Sequence, residues 1–153
     1  MDSRKLALLT LGVVTAGSLD LLFAMTYWGV LAGVSPVRIL QSVARGLLGA
    51  AAFQGGLGTA LLGVVLHYSI ITVMLACYYL ASLRLPVLWR KPLLFGPAYG
   101  LVLYAVMNYV VVPLSAAGPA PFNLSWVVSG FAVHVFLVGL TLAVSVHLAM
   151  AQR

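Results

Sequence analysis

The chain has 153 residues, 63% hydrophobic and 7% charged, with Lys+Arg 8 against Asp+Glu 2 and a formal net charge of +6. A soluble domain carries about 25% charged residues, so this composition excludes an ordinary water-facing surface and reads as a bilayer protein whose positive excess serves orientation and anionic-lipid contact, with no nucleic-acid footprint. A single cysteine, Cys77, excludes an intrachain disulfide and a Cys-rich metal cluster, and we find no Walker-type glycine loop, no His-Glu-x-x-His and no defensible Ser/His/Asp order.

A spanning helix needs about 20 mostly apolar residues. The first such stretch runs over about 6–29, with Arg4 and Lys5 ahead of it and Tyr27 and Trp28 at its far end, where an interfacial aromatic belt belongs. A secretory signal would also place basic residues before an apolar run, but this run is too long for one and holds Asp20 inside it. Ser35-Pro36 is a helix start signal. Over 36–48 it leads an amphipathic helix with Arg38, Gln41, Ser42 and Arg45 on one face and Ile39, Leu40, Val43 and Leu47 on the other. Such a helix suits the headgroup plane, its arginines gripping membrane-lipid phosphates. A second reading makes it a lid or anion site over the bundle mouth. Gly46, Gly49 and Gly55-Gly56 then turn the chain back into the membrane.

The remaining spans run over about 56–80, 93–114 and 125–150, with Pro86, Pro92, Pro113, Pro119 and Pro121 at span ends or in connections. The expected fold is a single all-α domain, an integral membrane bundle of four transmembrane helices with an amphipathic interfacial helix between the first and second. Arg4, Lys5, Arg84, Arg90, Lys91 and Arg153 then fall on one side and Arg38 and Arg45 on the other. The positive-inside rule puts both termini in the cytoplasm.

Ionisable residues inside a membrane are costly and usually face a bundle interior or a water-filled cavity. Asp20, His67, Asn108 and His134 come one from each span, and their depths agree within roughly 6 Å at 1.5 Å per residue. They share stripes with small residues: Gly17 and Ala24 with Asp20, Ala60 and Gly63 with His67, Gly100 and Tyr104 with Asn108, Gly130 with His134. Tyr68 and Tyr104 lie near the same depth and would line a pocket between helices. A buried Asp beside imidazoles suits a small-ligand, ion or proton site of a binding or transport protein. Asp20, His67 and His134 would equally supply three ligands to zinc with a fourth position open, or the two histidines would ligate haem. Alternatively, the layer only bonds helix to helix, and the chain is a structural or accessory subunit packing on another membrane protein or on a second copy. The pairs Gly29/Gly33 and Gly96/Gly100 have the GxxxG spacing that suits such contacts. An enzyme is the least favoured class, since one small bundle leaves little room for an elaborate active site. His147 turns to another face near the cytoplasmic end, and Cys77 reads as an inert buried thiol.

Two stretches, Gly46-Leu47-Leu48-Gly49-Ala50-Ala51-Ala52-Phe53-Gln54-Gly55-Gly56 and Met107-Asn108-Tyr109-Val110-Val111-Val112-Pro113-Leu114-Ser115, resemble a widespread family of small four-helix bacterial inner-membrane proteins without an assigned activity. The resemblance covers the chain from about Asp20 to His134. It implies a four-helix fold and a bacterial cytoplasmic membrane location, and it implies no substrate or cofactor.

Overall fold

The computed structural model describes residues 2–119 and 121–152, and every regular element among them is helical. Helix α1, Ser3–Ala32, opens on Asp2, whose carboxylate accepts from the Arg4 amide at 3.4 Å. It closes at Gly33, whose φ of 64° is left-handed and whose N–H bonds the Gly29 carbonyl at 3.1 Å. Gly33 is therefore a cap with open space around it, and the Gly29/Gly33 pair makes no helix crossing within the chain.

Helix α2, Pro36–Leu48, starts as its sequence dictates: Ser35 accepts from the Arg38 amide at 3.3 Å and Pro36 takes the first helical position. A 3-10 stretch, Gly49–Gln54, leads into α3, Gly56–Arg84. The connection after α3 is itself helical, α4 over Pro86–Arg90, where only a loop was expected. Helix α5, Pro92–Leu114, contains a π-helical turn at Met107–Val111, and α6, Leu124–Ala151, contains one at His134–Gly139. α1, α3, α5 and α6 are each long and apolar enough to cross a membrane. The chain is thus of multi-pass type.

The spans run antiparallel in sequence. Gly12 of α1 lies against Ser145 of α6, and Gly96 and Gly100 of α5 lie against Leu140 and His134 of α6. One end of the bundle carries the first residues, α4 and the end of α6, together with Arg4, Arg84, Arg90 and Lys91; Arg153 lies outside the described residues. The other end carries α2 and the connection after α5, joined where the Ala116 N–H bonds the Gly46 carbonyl at 2.9 Å.

α6 is the central helix. Its Leu142, Val138 and Val146 are the largest fully buried apolar side chains, packed with Leu9 and Val13 of α1 and Ile71 and Leu75 of α3. The outward faces are as apolar as the core: Leu61, Val73 and Phe136 are 65%, 61% and 59% exposed. In water such a surface would aggregate; against lipid chains it costs nothing. Cys77 lies on this outward face and is exposed, which corrects its reading as a buried thiol. The buried stripe of α3 passes through Met74, Leu75 and Tyr78 and leaves Cys77 on the opposite side.

The closest crossing joins α5 and α6. A side chain on Gly100 would run into the backbone of His134 and Val135, and one on Gly139 would run into Gly96 and Gly100. The Gly96/Gly100 pair is thus used inside the chain and is unavailable to a partner. Replacing Gly100 by Ala should cost about 1–3 kcal/mol by overpacking and visibly lower the thermal midpoint in detergent. Gly58→Ala, where a side chain meets open space, should leave that midpoint unchanged or raise it.

Candidate functional site

The site is built around Gly17. Its missing side chain lets α3 come close enough for the His67 Nε2 to reach the Gly17 carbonyl at 2.9 Å, and a Cβ there would collide with the Tyr68 ring. A carbonyl only accepts, so Nε2 carries the proton and donates, and in the neutral ring Nδ1 is the acceptor. The same Nε2 lies 4.0 Å from Oδ2 of Asp20, one helical turn beyond Gly17. Tyr68 turns aside to exchange a hydrogen bond with Ser18 at 2.8 Å, tying α1 to α3 a second time.

His134 enters from α6 at the first residue of its π turn. Its Nδ1 donates to the Gly130 carbonyl at 2.9 Å, which leaves Nε2 as a bare acceptor. Tyr104 stands edge-on to this ring with centroids 5.5 Å apart and packs on its other side against Phe131.

Asp20, His67 and His134 line one cavity of about 630 Å³. Its walls include Trp28 of α1 and Trp126 of α6, and α2 contributes Arg38, Ser42 and Arg45. Both arginines of α2 thus belong to the lining of this cavity. What holds α2 there is a contact that patterning misplaced. Gln41, expected on the polar face beside Arg38 and Ser42, is only 5% exposed and turned into α3. Its Nε2 donates to the Gly56 carbonyl at 3.0 Å and to Thr59 Oγ1 at 3.3 Å, while Thr59 donates to the Ala52 carbonyl at 2.6 Å. One turn further along α3, Gly63 accepts the Leu40 backbone so closely that a Cβ could not fit. Arg38 lies over the Phe53 ring, 4.3 Å from its centroid, and Arg45 donates to the Ala117 carbonyl at 2.5 Å.

The expected four-membered layer is thus reduced to three. Asn108 spends its amide on the Tyr104 carbonyl of its own helix at 2.9 Å. Asn108, Tyr104 and Tyr68 all stand outside the cavity lining. As for metal, among the described residues no three His, Cys, Asp or Glu side chains are placed close enough together to hold an ion. Asp20, His67 and His134 surround a space and do not converge on a point. For haem, His67 Nε2 is already committed to Gly17, so ligation through it would first break a tie between α1 and α3. His147 serves the far end, where its Nδ1 donates to the Trp89 carbonyl at 2.8 Å and fastens α4 to α6.

The sequence pattern does not mark Trp28, Trp126 or Phe53 as cavity walls; Trp28 carries only its position at the end of the first span. The stripe Arg38, Ser42, Arg45 at spacings of four and three was visible, and its direction was not. Comparison of the chain with protein-family models, curated proteins and solved structures found no match.

The bonding pattern separates ties between helices from groups that face the cavity. His67→Leu and Tyr68→Phe each remove a bond between α1 and α3 and should cost about 0.6–2 kcal/mol. Asn108→Leu removes only a bond within one helix and should stay within about 0.5 kcal/mol of wild type. Chemical or thermal unfolding in detergent checks the ordering.

Proposed function

We propose that this is a multi-pass protein of the bacterial cytoplasmic membrane that binds a small amphipathic ligand in the cavity under α2. The cluster of Arg4, Lys5, Arg84, Arg90 and Lys91 at one end of the bundle favours cytoplasmic termini, which sets α2 at the outer surface as an interfacial lid. The observation that carries the reading is that ionisable side chains from three different spans line one apolar-walled cavity.

If the polar layer served only to join helices, its polar atoms would all be engaged by protein. His67 and Tyr68 meet that description. The Asp20 carboxylate and the His134 Nε2 do not: neither takes part in a hydrogen bond among the described residues, and both residues line the cavity. An unfilled carboxylate and imidazole at this depth are costly unless something polar occupies the space. Tryptophans on two walls add apolar area with a polar edge, a usual lining for a small-molecule site.

Native mass spectrometry of the protein released from detergent provides the test. The wild type should retain one small molecule per chain. Ala24→Phe, which fills the cavity from α1, should lose it while circular dichroism stays helical. No retained molecule in the wild type, or equal retention by Ala24→Phe, would contradict the reading.

A further inference from the structure

We infer that the occupant is a phosphodiester amphiphile with hydrogen-bond donors on its head group, its phosphate between Arg38 and Arg45 and those donors turned toward Asp20 and His134. This rests on the cavity being a binding site and names the chemistry it selects.

The charge distribution comes first. The chain has Asp+Glu 2. Asp2 caps α1 at the far end, and Asp20 faces His67 at 4.0 Å. Among the described residues neither Arg38 nor Arg45 has a carboxylate within ion-pair distance. Two guanidinium groups thus stand on one cavity wall without a protein counter-ion. They sit two helical turns apart on α2, about 10 Å along its axis, close enough for their long side chains to converge on one anion. Arg38 uses its face on Phe53 and keeps its N–H edges free, and Arg45 commits Nη2 to Ala117 and retains its other donors. One guanidinium fork satisfies a carboxylate; two forks turned onto one ligand would match the larger set of oxygens on a phosphate.

Asp20 of α1 and His134 of α6 bring the complementary polarity to the same cavity. The Asp20 carboxylate accepts, and so does His134 Nε2, because Nδ1 already donates to Gly130. These acceptors call for donors such as hydroxyl or ammonium groups and repel a second anion. A ligand that satisfies both sets of groups carries phosphate at one end of its head group and donors at the other. The apolar lining includes Leu21, Ala24, Trp28, Ile39, Val43 and Trp126. Free phosphate would lose hydration against these side chains without return, whereas an amphiphile gains from them. A volume of about 630 Å³ suits a head group and the first part of its apolar body.

The experiment offers the detergent-solubilised protein an equimolar mixture of phosphatidylglycerol, phosphatidylethanolamine, phosphatidylcholine and diacylglycerol, then reads retained adducts by native mass spectrometry. One phosphatidylglycerol or phosphatidylethanolamine per chain should be retained, about tenfold over phosphatidylcholine, which lacks donors, and diacylglycerol, which lacks phosphate. The double variant Arg38→Gln/Arg45→Gln should lose this preference, and Arg38→Lys/Arg45→Lys should recover part of it with the fold intact. Retention of diacylglycerol or phosphatidylcholine at parity, or an unchanged preference in the glutamine variant, would overturn the inference. Displacement of the lipid by millimolar inorganic phosphate would also overturn it, by making the free ion the ligand. Ala24→Phe separates the two levels. If it abolishes retention of a molecule lacking phosphate, the cavity is a site and the phosphate assignment fails. If it leaves arginine-dependent phosphatidylglycerol binding untouched, the lipid sits outside and the cavity reading fails as well.

Discussion

Between helices in lipid there is no hydrophobic drive, so association rests on close packing and on bonds that backbones can make only at short range. In this chain that short range is supplied by glycines, and each element of the site stands on one of them. Gly17 admits His67 to its carbonyl, Gly63 admits the backbone of α2, and Gly100 admits the backbone at His134. A Cβ at Gly63 or Gly100 would run into the facing backbone, and one at Gly17 into the Tyr68 ring. The dimensions of the cavity and the packing of the bundle therefore depend on the same glycines.

The way polar groups are used follows from this. A buried polar atom needs a partner, and most here find one in a nearby carbonyl: Tyr99 donates to Met74, Tyr78 to Leu88, Asn108 to Tyr104. These bonds join or brace helices and explain most of the polar side chains within the spans. Among the described residues the Ser82 hydroxyl of α3 is buried without a partner, and the Asp20 carboxylate and the His134 Nε2 go without a hydrogen bond at the cavity. There the carboxylate of Asp20 and the free nitrogen of His134 face a cationic helix held over them by Gln41 and Gly63. The cavity lining thus combines a carboxylate and an imidazole with two guanidinium groups and aromatic rings.

Much of this was legible in the chain itself. Hydropathy located the spans, Ser35-Pro36 located the start of α2, and counting residues from the interfacial aromatics placed Asp20, His67 and His134 at a common depth. Asn108 stands outside the cavity lining, and the reason is geometric. The stripe of Gly100, Tyr104 and Asn108 is spent on the crossing with α6, where Gly100 meets the His134 backbone and Tyr104 stands edge-on to the His134 ring, so none of the three reaches the cavity. Gln41 was misplaced because the amphipathic pattern treats an amide as surface, whereas the glycines at the start of α3 expose a carbonyl that an amide can bond. Cys77 was misplaced by a rule for soluble cores; in a bilayer, apolar side chains face outward as readily as inward. The direction of Arg38 and Arg45 depended on which side of α2 meets α3, which periodicity does not encode.

The most direct test of the central claim is the high-resolution structure of the protein in a lipid nanodisc, with the region under α2 inspected for density. The account predicts non-protein density bounded by Trp28 and Trp126, with Asp20 and His134 at one end and Arg38 and Arg45 at the other. A collapsed space, in which Asp20 and His134 bond directly to protein groups and α2 lies away from them in the headgroup plane, would contradict it.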